Sequence, residues 1–347
     1  MNAEDFKTNE IVFNVCDTVF LLGGGGILRD IAKIVLEKKK TIKVVTSPRH
    51  LKEQIDDKSL EDFLVENDIE FKCFDTLVAG ELKSFCGDVS QSFILSLGAA
   101  WIFDKAIIEG VFANKIVNLH GTRLPQDRGG GGHSWRILMG NRFGFITLHL
   151  INSGIDTGPI ILQEEFLYSA SCRIPEDFER DYSKKVIKFF DKFFTDLFES
   201  PQCFPLLIQN ETFSTYWPRL NTEVNAWIDW HIEPKLLERF ICAFDSPYLG
   251  AKTMLNYDLI RVKKISLNYQ DGVFHHFQSG IVYRKTNDWI CVALNGCGLI
   301  VEEILDVHGN NIISQMKVGS RFYSPIDKIG ESFSKRITYT PRGESEL

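Results

Sequence analysis

Four consecutive glycines, Gly23 to Gly26, separate a short apolar run at residues 18–22 from a helical stretch at 27–40. A second apolar run follows at 42–45. Strand, glycine turn, helix and strand in that order make a βαβ unit, because parallel neighbours need a crossover helix between them. The pattern repeats more loosely as a helix at 60–67, a buried strand at 93–98, a short helix at 105–110 and a β-branched run at 115–119. These segments predict an α/β domain with a mostly parallel, Rossmann-like sheet over roughly residues 10–165. The glycine run fits the dinucleotide fingerprint only in its first two glycines, since the sixth position is Leu28. Val45 is followed by Thr46 and Ser47, not by an acid placed for a ribose. The run is therefore read as a sharp steric turn.

The clearest helix is expected at 171–199, with apolar residues at 178, 182, 186, 189, 190, 193, 194 and 197. Pro175 and the carboxylates beside it suit a helix start. After Pro201 the character changes. One helical pattern at 234–244 precedes short strands at 259–267, 280–283, 289–294 and 299–307, separated by Asn, Asp and Gly turns. That spacing predicts a small β-rich barrel or sandwich. The polar stretch 336–347 is expected to be poorly ordered. The domain reading is 1–200 for the α/β part, 201–224 for a linker and 225–347 for the β-rich part.

With 347 residues, 44% of them hydrophobic, the chain has ample material for a packed core. A formal charge of −7 does not advertise a basic face for nucleic acid, though it is compatible with a local basic patch. The eight cysteines contain no CxxC pair, which suits buried thiols in a reducing compartment. Residues 1–10 are polar and acidic with no apolar segment behind them, so no signal peptide is expected. The longest apolar stretch, 93–117, is broken by Asp104, Lys105 and Glu109 and cannot span a membrane. A soluble, cytoplasmic protein is expected.

Two segments carry chemistry. Residues 118–135 leave an apolar strand and enter a loop with five glycines and one proline, at the end of a parallel sheet where ligands bind. Asn118 and His120 are two apart, so an extended backbone puts both side chains on one side. An amide and an imidazole there can steady an oxyanion and manage a proton. Capping or core roles would explain them equally. In residues 148–166 a strand enters a turn where Asp156 lies between Gly154 and Gly158; an Asx turn is the alternative reading.

Together these segments resemble the signature of the folate-dependent formyltransferases. Asn118, His120, Leu124-Pro125, Arg128-Gly129, Gly154, Asp156, Gly158 and Ile160 follow that family's order. Tyr216-Trp217-Pro218-Arg219, Ile228-Asp229-Trp230, Ile241-Cys242-Ala243-Phe244, Pro247-Tyr248 and Gly250-Ala251 resemble the linker and second-domain entry of methionyl-tRNA and amino-sugar formyltransferases. Gly319-Ser320-Arg321-Phe322 is similar to that domain's last turn. Three departures stand out. Thr122 replaces the family's Ser, Arg123 replaces its second Leu, and four glycines follow Arg128.

The resemblance implies a 10-formyltetrahydrofolate donor, a primary-amine acceptor, no metal and an OB-like C-terminal barrel. It assigns catalysis to Asn118, His120 and Asp156. Asn118 and a protonated His120 would donate to the oxyanion. Asp156 would either hold His120 charged, raising its pKa, or accept the amine proton through water. The pterin would lie against Gly98, Ala99, Trp101, Phe103, Ser153, Gly154 and Ile155, with core packing the alternative for the aromatics. Acceptor contacts are expected from Arg123, Arg128, Gly129 and His133. Tyr216 and Trp217 are expected either to stack on a base or to anchor the domains. A nucleotide-linked amino sugar is the expected acceptor, methionyl-tRNA the alternative, and a hydrolytic or folate-binding relative a third reading. Residues 225–325 hold ten Lys+Arg and ten Asp+Glu, which disfavours tRNA. A homodimer is expected.

Overall fold

The structure, a computed structural model, describes residues 9–346. Its centre is a seven-stranded sheet in the order Ile160–Leu167, Phe143–Leu150, Ile116–His120, Ser92–Leu97, Thr18–Gly23, Thr41–Thr46, Glu70–Cys73. The last five of these are parallel, and the first two add antiparallel at one edge. Central strands buried on both faces read as unbroken apolar runs. Thus Val19, Leu21, Phe93 and Leu95 face one apolar cluster, while Phe20, Leu22 and Ile94 face another. The helices Gly26–Glu37 and Pro175–Glu199 pack on the first face.

Thr18–Gly23 pairs with Thr41–Thr46 on one side and Ser92–Leu97 on the other. The chain therefore reverses its direction of travel across the sheet there, and the loops leaving Gly23 and Leu97 diverge over a crevice. A side chain at Gly23 would collide with the Leu97 carbonyl, and one at Gly24 with the His50 ring. The first two glycines of the run are thus sterically required.

The long helix begins at Pro175, four residues later than its periodicity suggests. Asp177 accepts from the backbone N–H groups of Arg173 and Ile174 at 3.0 and 3.3 Å, which fixes the preceding turn outside the helix. Phe190 and Phe194 are fully buried within a run of aromatic contacts to Phe93, Phe193 and Phe198. Phe194→Ala should therefore cost about 3–5 kcal/mol in a denaturant titration. A loss below about 1 kcal/mol would mean the site collapses around the truncation.

The C-terminal part holds a five-stranded antiparallel sheet, Ala251–Leu255, Asp258–Asn268, Cys297–Leu305, Ile290–Leu294 and Val282–Lys285 in spatial order. No strand ladder closes it into the expected barrel among the described residues. Its two edges are joined instead by single bridges through residues 319–323: Met254 N–H donates to the Tyr323 carbonyl at 2.7 Å and Val282 N–H to that of Ser320 at 2.8 Å. Trp230, Phe244, Ala251 and Phe322 belong to the same buried cluster as Phe190 and Phe194.

The expectation of a poorly ordered tail from 336 is corrected. Ile337–Thr340 and Gly343–Glu346 pair as an antiparallel hairpin. Its partners are distant in sequence. Arg49 N–H donates to the Pro341 carbonyl at 3.1 Å, Arg342 pairs with Asp75 at 2.7 Å, and the Arg219 guanidinium lies 4.6 Å from the Tyr339 ring centre. Helices Ala79–Cys86, Gly132–Met139 and Ile326–Ser334 are also additions to the sequence reading. No helix among the described residues is long and apolar enough to cross a membrane.

Candidate active site

Asn118 and His120 lie on the strand Ile116–His120 and both line a cavity of about 400 Å³. The antiparallel neighbour sets His149 opposite Asn118 and Thr147 opposite His120. The His149 Nδ1 is 2.9 Å from the Leu150 carbonyl, so this nitrogen carries the proton. Its Nε2 is left to accept from the Asn118 amide nitrogen at 3.0 Å. That bond fixes which way the Asn118 amide faces and leaves its second N–H for the cavity.

His120 is likewise set by its neighbours. Its Nε2 is 2.9 Å from the Asp127 carbonyl and 2.5 Å from the Thr122 hydroxyl, which itself donates to that carbonyl at 2.6 Å. The ring proton of the neutral form therefore sits on Nε2. Nδ1 faces Asp156, with its Oδ1 at 3.7 Å, and the same oxygen is 3.7 Å from His149 Nε2.

Asp156 occupies the turn between Phe143–Leu150 and Ile160–Leu167 with φ at 52°, a left-handed conformation that costs a non-glycine residue energy. Remote bonds hold it there. Its Oδ2 accepts from Gly129 N–H at 2.9 Å and its carbonyl from Gln209 Nε2 at 2.8 Å. Gly158 keeps the turn tight, because a side chain there would collide with the Leu150 carbonyl. The Asx-turn role falls to Asn152, whose Oδ1 accepts from Gly154 N–H at 3.1 Å and the Thr157 hydroxyl at 2.7 Å. The Asp156 carboxylate is thereby left facing the two imidazoles.

Burial alone would raise the Asp156 carboxyl, but attraction from His120, contact with His149 and the Gly129 N–H outweigh it and hold it well below the usual carboxylate range. The expected raised pKa of His120 is corrected. Burial dominates and pushes it below the ordinary histidine value, with Asp156 opposing and His149 adding to the fall. Burial thus favours the neutral imidazole, while the cationic form is the one that holds the Asp156 carboxyl down.

Gly98, Ala99, Trp101 and Phe103 line one wall of the cavity, and Gly154 and Ile155 another; Ser153 is not among the lining residues. Trp101 donates its indole N–H to the Asp75 carbonyl at 3.2 Å, and Phe103 is buried in the second apolar cluster. Gly129 and His133 line the cavity, and His133 Nε2 lies 2.9 Å from Glu179. Burial would raise Glu179, yet the His133 contact keeps its carboxyl below the usual value.

Four acceptor expectations change. Arg123 is exposed and does not line the cavity. Arg128 is buried, its Nε and Nη2 donating to Gln209 at 3.1 and 2.9 Å and Nη1 to Glu211 at 2.9 Å. It clamps residues 209–211 to the loop, with those nitrogens committed to the chain. Tyr216 is exposed and outside the lining, while Trp217 packs on Trp135 at 5.3 Å and donates to Asp127 at 3.1 Å. Trp217 fits the anchoring alternative, while Tyr216 takes part through its backbone pairing with Arg128. Arg219 and His149 line the cavity without having been anticipated. A polar residue at a buried position of an apolar strand, seven residues before Asp156, was the available signal for His149.

A family model described as formyl transferase matches residues 84–188, a span that includes Asn118, His120, His149 and Asp156. The methionyl-tRNA formyltransferase of Legionella pneumophila (strain Paris) is 26% identical over 206 residues, which are 58% of this chain and 62% of that protein. The chain spans about three-fifths of the length of the curated relatives it matches. Among solved structures, the N-formyltransferase from Helicobacter canadensis in complex with folinic acid and dTDP-3-aminofucose aligns with a TM-score of 0.61 at 19% identity, covering 83% of this chain and 99% of that one. WlaRD, a sugar 3N-formyl transferase with dTDP and 5-N-formyl-THF, aligns with a TM-score of 0.61 at 21% identity, covering 83% and 97%. At these identities the likeness is one of fold.

Proposed function

We propose that the chain is a folate-dependent formyltransferase that transfers the formyl group of 10-formyltetrahydrofolate to the primary amine of a nucleotide-linked amino sugar. One observation carries the reading. Asn118, His120 and Asp156 converge on one cavity at the carboxyl end of the parallel sheet, with a glycine-rich loop closing over the carboxylate. On the proposed division, residues 1–200 bind the donor and carry the chemistry, 201–224 link, and 225–347 complete the molecule. A homodimer belongs to the same proposal.

In the reaction the amine nitrogen attacks the formyl carbon, the carbonyl oxygen gains charge, and the bond to folate N10 breaks. The free N–H of Asn118 is the donor for that oxygen, its direction fixed by His149. Neutral His120 accepts the amine proton at Nδ1, the nitrogen that faces Asp156. The carboxylate, ionised throughout, then stabilises the imidazolium, and the proton passes on to N10 as tetrahydrofolate leaves.

Two consequences can be measured. Histidine's ordinary pKa is about 6.5, and burial sets His120 below it. The neutral, proton-accepting form is lost only as pH falls through that lowered value, so kcat/KM should stay flat from neutral pH down past about 6.5 before it drops. An acid limb centred above about 7 would contradict the neutral-base role. His149→Phe removes the acceptor for the Asn118 amide; kcat should fall about 10- to 100-fold with KM for the donor little changed, the signature of a positioning residue. An unchanged kcat would show that the amide needs no such guide.

The acceptor reading is supported by the dTDP-3-aminofucose bound to the first of the two solved proteins above, by the dTDP bound to the second, and by the charge neutrality of residues 225–325. The sequence relatives favour a second reading, methionyl-tRNA. An assay with 10-formyltetrahydrofolate and dTDP-, UDP- and GDP-linked amino sugars, with methionyl-tRNA alongside, decides between them. Tetrahydrofolate release dependent on one sugar nucleotide supports the first, release only with charged tRNA supports the second, and release without acceptor overturns both.

A further inference from the structure

A second cleft, of about 230 Å³, lies between the helices Gly132–Met139 and Pro234–Ala243 and the start of Pro175–Glu199. Four arginines line it, Arg136, Arg142, Arg173 and Arg239, against a single acid, Glu238. That acid is already engaged, pairing with Arg173 at 2.7 Å. Asp177 and Asp181 stand nearby but outside the lining, and each has its own cation, Arg180 and Lys185. Three positive charges thus share a concave space in a protein whose formal charge is −7.

The arginines' own bonds sharpen the point. Arg136 is buried, and its guanidinium donates to the carbonyls of Phe143, Gly132 and Gly121, none of which neutralises it. Arg142 donates to the Tyr168 carbonyl at 2.6 Å. Arg239 packs its guanidinium against Gly140 and makes no ion pair among the described residues. Like charges held together away from water repel, and a bound oxyanion turns that repulsion into attraction. Guanidinium groups match phosphate oxygens in bidentate geometry. The volume falls below the roughly 300 Å³ at which pockets for drug-sized ligands begin, so it suits a small anion and not a whole nucleotide sugar.

We propose that this arginine-lined cleft is a binding site for a small phosphorylated anion of the diphosphate class, separate from the catalytic cavity. Arg136 is its link to the chemistry, because it lines both spaces and holds the carbonyls of Gly121 and Gly132 on either side of the catalytic loop.

The test is calorimetric titration of the full chain with sodium pyrophosphate, in the absence of donor and acceptor, so its outcome is independent of the acceptor assay. Micromolar-range binding is expected, weakened at least about tenfold by Arg239→Gln and less by Arg239→Lys, which keeps the charge. Arg219→Gln, at the rim of the catalytic cavity, should leave it unchanged. Three results overturn the proposal: no binding up to millimolar pyrophosphate, binding indifferent to Arg239→Gln, or binding abolished by Arg219→Gln. Equal binding of sulfate at matched ionic strength would also overturn it, since screening alone would then account for the effect.

Discussion

His120→Ala should lower kcat by about 10²- to 10⁴-fold, because it removes the proton acceptor at the reacting centre. The substitution deletes the contacts to Asp127 and Thr122 but leaves the strand Ile116–His120 paired on both sides. The protein should remain folded by circular dichroism. KM for the donor should move little, since the cavity walls Gly98–Phe103 and Asn152–Ile155 are untouched. Added imidazole should restore part of the rate if the missing function is chemical. A rate within tenfold of the parent, with no response to imidazole, would remove His120 from the mechanism.

Asp156→Asn should have an effect of similar size, about 10²- to 10⁴-fold in kcat, for a different reason. The amide keeps the shape and can still accept from Gly129 N–H, so the turn and its left-handed backbone persist. What disappears is the charge that stabilises the imidazolium. The pH profile gives a second readout. Asp156 raises the His120 pKa against burial, so without the charge that pKa falls further and the acid limb moves to lower pH. A limb that stays in place, or moves upward, would show that the carboxylate does not act through His120.

The parts legible in the sequence are those dictated locally. The strand, glycine turn and helix at 18–37 announce themselves because a glycine run between an apolar run and a helical period marks a sharp turn, and Gly23 and Gly24 prove sterically required. Asn118, His120 and Asp156 are legible because spacing and glycines set them on one loop cluster. The misreadings share a cause, which is that the deciding partner lies far along the chain. Arg128 looks free for substrate until Gln209 and Glu211 close on it, 81 and 83 residues away. The tail at 337–346 is mostly polar, and its partners are Arg49, Asp75 and Arg219. The protonation of His120 depends on burial, which no spacing reveals. Helix Gly132–Met139 opens on glycine, a residue that sequence rules take as a breaker.

The buried interior runs from the large sheet to the C-terminal one without a break, and the helix Pro234–Ala243 joins them by packing on Gly132–Met139 on one side and on Asp258–Asn268 on the other. A hinge opening at that junction would expose apolar surface at a cost of about 25 cal/mol per Å². The two sheets are therefore expected to unfold in one coupled transition. On the proposed function, substrate would enter and leave past the glycine loop at 129–132 and the rim around Arg219, which line the cavity.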